Sequence, residues 1–319
     1  MKRPPAVALV SALVALGLAG CTPSPPPPPT PTPTPTSTTM STTTTSTTAA
    51  PTFTLDTFPM LDGSTACIPL MSLMLQELAG VPKAQADNIQ VSTTSNAYMG
   101  LATLDPSQDP HGRVLIVGEP DQGTKDWIAD RAKLEYHPIG RDGLVFLANA
   151  GNPVTGLTTD QYRQIYLGSI TNWKQVGGQD TPIVAYQRPE ANGSQALLRK
   201  YVVGTAKLAD APTALVATDM AGLIDGVAGY ANSGNALGYS VYYYAKDMYA
   251  QPGVKILSAD GVAPSPATIK DGSYPYVNDF YAVIRADEPP GSPARQVVAW
   301  LESDAGQQAV VAAGYVGKK

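Results

Sequence analysis

The segment Thr22–Thr52, TPSPPPPPTPTPTPTSTTMSTTTTSTTAAPT, holds almost no apolar side chain from which a core could be built, and it divides the chain. Runs of Pro, Thr and Ser favour an extended, polyproline-like strand, because too little apolar surface is available to offset the entropy of folding. A tether of about 30 residues at roughly 3 Å each reaches up to about 90 Å. Its threonine density suits O-glycosylation. The foldable part therefore runs from about Thr54 to Lys319, enough chain for two lobes sharing a cleft.

Ahead of the tether, Lys2 and Arg3 precede an apolar run from Ala6 to Leu16 that ends in LAGC, Leu18–Cys21. This order is expected of an export signal, and the run is shorter than the roughly 20 residues of a membrane span. Small residues directly before a cysteine resemble a bacterial lipobox. Cys21 is then the lipidated mature N-terminus, anchoring the protein in the cell membrane on its extracytoplasmic side.

Cys67 is the one thiol left in the foldable part, and the chain has two histidines, His111 and His137. A disulfide framework within the monomer is excluded, and neither a metal centre nor a cofactor is expected. The net charge of −5 argues against a nucleic-acid partner. An acidic protein that binds an anion must do so through local donors.

Strand-like runs at Asn88–Thr93, Gly112–Gly118, Gly143–Ala150, Pro182–Gln187 and Phe280–Ala286 alternate with helical periodicity at Ala66–Leu78, Lys125–Lys133, Thr159–Tyr166 and Pro293–Ala313, an α/β order. Thr158 and Gln161 form an expected capping box, and Gly168 an expected helix stop.

The segment YQRPEANGSQALLRKYV, Tyr186–Val202, puts a cation four residues ahead of a helix start. Arg188 can fork onto an oxyanion while the backbone N–H groups of Asn192, Gly193 and Ser194 point at the same spot. The competing reading of Arg188 is a surface ion pair with Glu190 or another acid. A second segment, DGSTACIPLMSLMLQELAG at Asp62–Gly80, has the same logic, with a Gly-Ser-Thr turn entering an amphipathic helix. Ser64 and Thr65 there serve either as ligand contacts or as plain helix caps. The run Tyr242–Tyr244 is read as packing, and Trp173 and Cys67 as core.

The block NPVTGLTTDQYRQIYLGSITNWKQVGGQDTPIVAYQRPEANGSQ, Asn152–Gln195, resembles the centre of the phosphate-binding proteins of phosphate ABC transporters. The segments Asp62–Leu70, Gly234–Ala245 and Asp271–Arg285 extend the likeness over nearly all of Asp56–Val316. The resemblance implies an α/β, two-lobed type II periplasmic-binding-protein fold with a ligand cleft between the lobes. The implied organisation is a signal peptide over 1–20, lipidated Cys21 with a linker over 21–53, lobe I over 54–147 plus 252–319, and lobe II over 148–251. The implied ligand contacts are Ser64, Thr65, the Ala66 N–H, Ser95 (or its neighbour Thr94 as the helix cap), Glu119, Arg188, Asn192, Gly193 and Ser194.

Asn192 stands where that family has serine; it is expected to cap its helix and donate from its amide. The family offers a carboxylate that accepts the proton of hydrogen phosphate and repels sulfate. Glu119 is the expected acceptor, with Asp121 as the alternative, while Asp142 is read as a hinge brace. The implied function is a monomeric, non-enzymatic receptor that captures inorganic phosphate by lobe closure and delivers it to a membrane permease. The alternatives are a same-fold receptor for another oxyanion or an organic phosphate, a hydrolase using Ser64 or Ser194, and a surface adhesin. No Gly-x-Ser-x-Gly elbow supports the hydrolase.

Overall fold

The computed structural model of the protein describes residues 50–105, 107, 109–211, 216–229 and 234–318. The expected signal peptide, Cys21 and the linker up to Ala49 lie outside the described residues.

The elements run β1 (Met60–Gly63), α1 (Ile68–Ala79), α2 (Lys83–Ala86), α3 (Thr94–Ala102), β2 (Arg113–Gly118), α4 (Gln122–Ala129), β3 (Leu134–Asn149), β4 (Gly156–Leu157), α5 (Thr159–Tyr166), β5 (Val184–Ala185), α6 (Gly193–Leu198), α7 (Met220–Gly229), β6 (Ala236–Val241), β7 (Val254–Ala259), α8 (Pro266–Lys270), β8 (Val277–Arg285), α9 (Pro293–Glu302), α10 (Asp304–Ala312) and β9 (Val316–Gly317). The α5 helix starts on the expected capping box, with Thr158 accepting from the Gln161 N–H and Gln161 accepting from the Thr158 N–H. Gly168 follows it with φ 82°. The long periodic stretch at the C-terminus is two helices, because Ser303 breaks from helical geometry and caps α10.

The strand order β1-β2-β8-β3-β6-β5 is mixed. β1 and β2 are parallel, while β2–β8, β3–β8, β3–β6 and β3–β7 are antiparallel. β3 belongs to two ladders in turn. Its first part, Leu134–Gly143, pairs with β8, and its second part, Leu144–Asn149, pairs with β6 and β7.

Each part packs its own core. One buried cluster gathers Phe146, Tyr162, Tyr166, Trp173, Leu237 and Tyr239, with the Phe146 and Tyr162 rings stacked at 3.7 Å. A second gathers Leu70, Met74, Val114, Ile116, Phe280 and Trp300. A third, smaller one, with Tyr98, Leu115 and Val117, covers the opposite face of β2, as alternation along a strand requires. Trp173 is fully buried, and its indole N–H donates to the Asn235 carbonyl at 2.9 Å. Tyr242, Tyr243 and Tyr244 are buried too.

Two expectations differ from the fold. Asn88–Thr93 forms no strand; Asp62 instead accepts from the Ser92 N–H and hydroxyl, at 2.8 and 2.5 Å, so a side chain holds this segment where a ladder was expected. The segment from Val254 to Val277, expected in lobe I, packs with the first cluster through Leu257, Ile269 and Tyr274, because β7 pairs with the second part of β3.

Candidate functional site

A cavity of about 60 Å³ lies where β3 changes ladders. Residues from distant parts of the chain line it: Ser64, Thr65, Ala66 and Cys67; Thr93 and Thr94; Gly118 and Glu119; Asp142; Arg188, Asn192, Gly193 and Ser194; and Asn278, Phe280 and Tyr315 among others. Eight of the nine expected contacts are therefore brought together. Ser95 is the exception.

The first wall begins at Gly63, whose φ of 150° and position leave no room for a Cβ, which would meet the Ile116 carbonyl oxygen at 2.0 Å. The chain turns there, Ser64 accepts from the Ala66 N–H at 3.3 Å, and the Tyr315 hydroxyl holds the Ala66 carbonyl at 2.5 Å. Next to it Thr93 has φ 74°, one of two non-glycine residues with positive φ among the described residues. Such backbone strain costs on the order of 1–3 kcal/mol and persists where surroundings hold it.

The facing wall is built on Arg188. Its backbone N–H donates to the Tyr239 hydroxyl at 2.8 Å. Its guanidinium donates to Ser194 Oγ and Asn192 Oδ1, both at 2.9 Å, and to the Thr218 carbonyl at 3.3 Å. Arg188 is 7% exposed, and its Nε is buried without a partner. No ion pair among the described residues includes it. Burial pulls the guanidinium pKa down, partly offset by Tyr239, Asp219 and Tyr244, yet an arginine stays charged.

The competing ion pair does not form: Glu190 binds Arg199 at 2.6 Å. Asn192 occupies the N-cap position of α6, but its side chain makes no cap bond; its Oδ1 is taken by Arg188 and its Nδ2 donates to the Pro189 carbonyl. It orients the cation and does not cap the helix.

The carboxylates depart furthest from expectation. Glu119 lines the cavity, but its Oε1 accepts from Lys200 Nζ at 3.1 Å and its Oε2 from Lys125 Nζ at 3.3 Å. Burial pushes its pKa up, and the two lysines outweigh this and hold it below the usual range. Asp121 does not line the cavity. It caps α4, accepting from the Thr124 N–H and hydroxyl, and also accepts from Ser95 Oγ at 2.8 Å. Ser95 stands 2.8 Å from both that carboxylate and the Ala191 carbonyl, with one proton for the two. The helix that Ser95 or Thr94 was expected to cap begins at Thr94, with Thr93 at the N-cap position and no side-chain cap bond.

Sequence reasoning missed Asn278 as a lining residue and read Asp142 only as a brace. Both are buried, and both line the cavity. Neither His111 nor His137 lines it, and no group of three potential metal ligands occurs among the described residues. Nor is any described helix long and apolar enough to cross a membrane.

A family model described as the PBP superfamily domain matches residues 29–305. The phosphate-binding protein PstS of Bacillus subtilis is 27% identical over 219 residues, 67% of this chain and 66% of that protein, so the match spans just under two thirds of this relative. The PstS of Borreliella burgdorferi is 23% identical over 81% of this chain and 89% of its own. Among solved structures, one from Clostridium perfringens, described provisionally as a phosphate ABC transporter substrate-binding protein with bound phosphate, superposes with a TM-score of 0.64 at 22% identity, over 82% of this chain and 99% of its own. An ABC-type phosphate transport receptor from Vibrio cholerae gives 0.58 at 22%, over 81% and 99%. At these identities the structural likeness shows the fold.

Proposed function

The chain belongs to the PBP superfamily, and from that premise we propose that it is a receptor that captures inorganic phosphate between two lobes and hands it to the permease of an ABC transporter. The observation that carries this is Arg188, a buried cation that lines a small cavity, has no ion pair among the described residues and keeps an unpartnered Nε. An uncompensated buried charge is costly, and an anion of phosphate size removes that cost on arrival. The names of the Bacillus and Borreliella relatives support the choice of anion. The proposed contacts are Arg188 and Ser194, the N–H groups at Asn192 and Gly193, and the Ser64–Ala66 turn.

Micromolar binding requires about 8 kcal/mol, whereas a helix terminus contributes at most about 2 and a charged hydrogen bond about 1.5–3. One wall is insufficient, so closure of both around the anion is part of the proposal. The proposed lobes are about 54–143 plus 277–318, and about 144–276, divided where β3 changes ladders. Contacts that would form on closure are Ser95 to the Ala191 carbonyl, Lys200 to Glu119, and the approach of Gly193 to Thr94, where an added Cβ would come within 2.7 Å of Thr94 Oγ1.

Purified protein is expected to carry or bind one phosphate by calorimetry and to leave a chromogenic phosphate ester intact. Tight binding of another anion with no response to phosphate would replace this reading with a same-fold receptor for another oxyanion or an organic phosphate. Ester turnover abolished by Ser64→Ala would replace it with a hydrolase.

The lipid anchor at Cys21 and the tethered position outside the membrane are part of the same proposal. Cys21→Ala is expected to release the protein from the membrane fraction; retention after a salt wash would overturn the anchor.

A further inference from the structure

The first wall of the cavity is made of two turns from distant segments, and one carboxylate joins them. Asp62 lies in β1, two residues before Ser64. Its Oδ1 accepts from the Gly63 N–H at 2.7 Å and from the Ser92 N–H at 2.8 Å, while its Oδ2 accepts from the Ser92 hydroxyl at 2.5 Å. A single side chain thus fixes the entry to the Ser64–Ala66 turn and the entry to the Thr93–Thr94 turn, and both turns line the cavity. β1 stands at the end of the strand order and the segment carrying Ser92 joins no strand, so no ladder bond sets one against the other. Thr93, directly after the clamped Ser92, has φ 74° and ψ 170°, and its carbonyl accepts from the Ala97 N–H in the first turn of α3. A β-branched residue at positive φ is an outlier that its surroundings must hold.

Resting on the phosphate reading, we infer that Asp62 is a positioning residue for anion binding: its bonds to Ser92 hold Thr93 in the strained conformation and so keep Thr93 and Thr94 on the wall beside the Ser64–Ala66 turn. Asp62 is not among the lining residues and acts only through the turns it joins. Ser92 is held on one flank of Thr93 and α3 starts on the other, which leaves the backbone of Thr93 no room to return to negative φ. Without the clamp the ligand-free protein relaxes at Thr93, and the wall has to be rebuilt at each binding event, which weakens affinity. The tolerance is narrow, because Gly193 approaches Thr94 so closely that an added Cβ would come within 2.7 Å of Thr94 Oγ1. A carboxylate suits the task, since it only accepts and has two oxygens for the three donors at Gly63 and Ser92. A plain local turn would explain the bond to Gly63 but not the two bonds to Ser92, thirty residues away.

The test measures phosphate affinity by calorimetry, and Tm beside it, on the whole protein carrying Asp62→Ala, Asp62→Asn, Ser92→Ala or Asp62→Ala with Thr93→Gly. Asp62→Ala removes the clamp and is expected to weaken phosphate binding by at least about tenfold. Asp62→Asn keeps an Oδ1 for the two N–H donors and can donate from its amide to the Ser92 hydroxyl oxygen, so it should stay within about threefold of wild type. Ser92→Ala loses the hydroxyl bond alone and should show a smaller loss than Asp62→Ala; it tests the clamp even if Asp62→Ala does not fold. Glycine takes positive φ without the Cβ penalty, so adding Thr93→Gly to Asp62→Ala should recover affinity by at least about threefold. A carboxylate that only stabilises the fold would lower Tm and leave the phosphate affinity of folded variants unaltered, and that outcome in Asp62→Ala and Ser92→Ala would overturn the inference. A loss in Asp62→Ala that Thr93→Gly leaves in place would overturn it too, because the clamp would not act through Thr93. Wild-type protein that binds no phosphate would overturn the phosphate reading and this inference with it; wild-type protein that binds phosphate, with unaltered Asp62 and Ser92 variants, would overturn the inference alone.

Discussion

The two sides of the cavity hold opposite polar inventories, each incomplete. On one side Arg188 is buried among neutral acceptors, with its Nε unsatisfied. On the other, Asp142 is buried among backbone donors beside Asn278, whose Oδ1 is unsatisfied. A chain shaped for stability alone would pair the cation with the acid, since an unpaired buried charge destabilises a fold by several kcal/mol. Here no ion pair joins them among the described residues, and each side keeps a buried polar atom without a partner. The rim offers the contrast within the contrast: Glu119 is paired with two lysines, one on each oxygen.

The largest effect expected from breaking this opposition is on the cationic side. Arg188→Ala should weaken phosphate binding by on the order of 2–5 kcal/mol, roughly 30-fold to several thousand-fold, more than any single change among Ser64, Thr65 and Ser95. Calorimetry decides it: phosphate affinity unaltered in a folded Arg188→Ala protein would remove the cation from the site.

The acidic side is read by pH in the absence of ligand. Burial pushes the Asp142 carboxyl up to about 7 against the backbone donors that favour its ionised form. The fold therefore holds this proton more tightly than the unfolded chain does. Its contribution to stability is full below about pH 4 and is lost as pH rises through about 7, on the order of 4 kcal/mol over the window. Around it stand Asp247, Cys67, Tyr242, Tyr243 and Tyr315; burial pushes the thiol and the phenols up, out of this window. The wild-type Tm should fall between about pH 5 and 7.5, and the Asp142→Asn profile should be flatter. Parallel profiles would show that the acid is not held protonated.

The smallest effect belongs to the rim. Lys200→Met breaks a pair whose side chains are 40% and 28% exposed, so it should change Tm and phosphate affinity by under about 1 kcal/mol. A loss as large as that of Arg188→Ala would make Lys200 a ligand cation and undo the distinction between rim and wall.

Much of the donor side was legible along the chain because its parts are close in sequence. Arg188, Asn192 and Ser194 fall within one turn and one helix start, and Ser64 to Ala66 within another, so local geometry alone brings each set together. The exchange of roles at Asn192, from helix cap to partner of the guanidinium, was not legible, since a cap and a side-chain acceptor call for the same residue type. Nor was the fate of Asn88–Thr93, where a carboxylate thirty residues away replaces a strand partner.

By itself the sequence determined the α5 capping box, the two donor turns and the absence of any thiol or histidine cluster, because each depends on residues within a few positions of one another or on composition. The tertiary structure alone decided what each carboxyl is bonded to. Glu119, Asp121 and Asp142 are the same chemistry in the sequence. Pairing of β3 with β8 sets Asp142 beside Asn278 from the far end of the chain, and the packing of residues near Lys200 against the β2–α4 loop brings an ammonium onto Glu119. Burial and neighbours, not residue type, set whether an acid is neutralised, committed or available, and both are long-range properties of the fold.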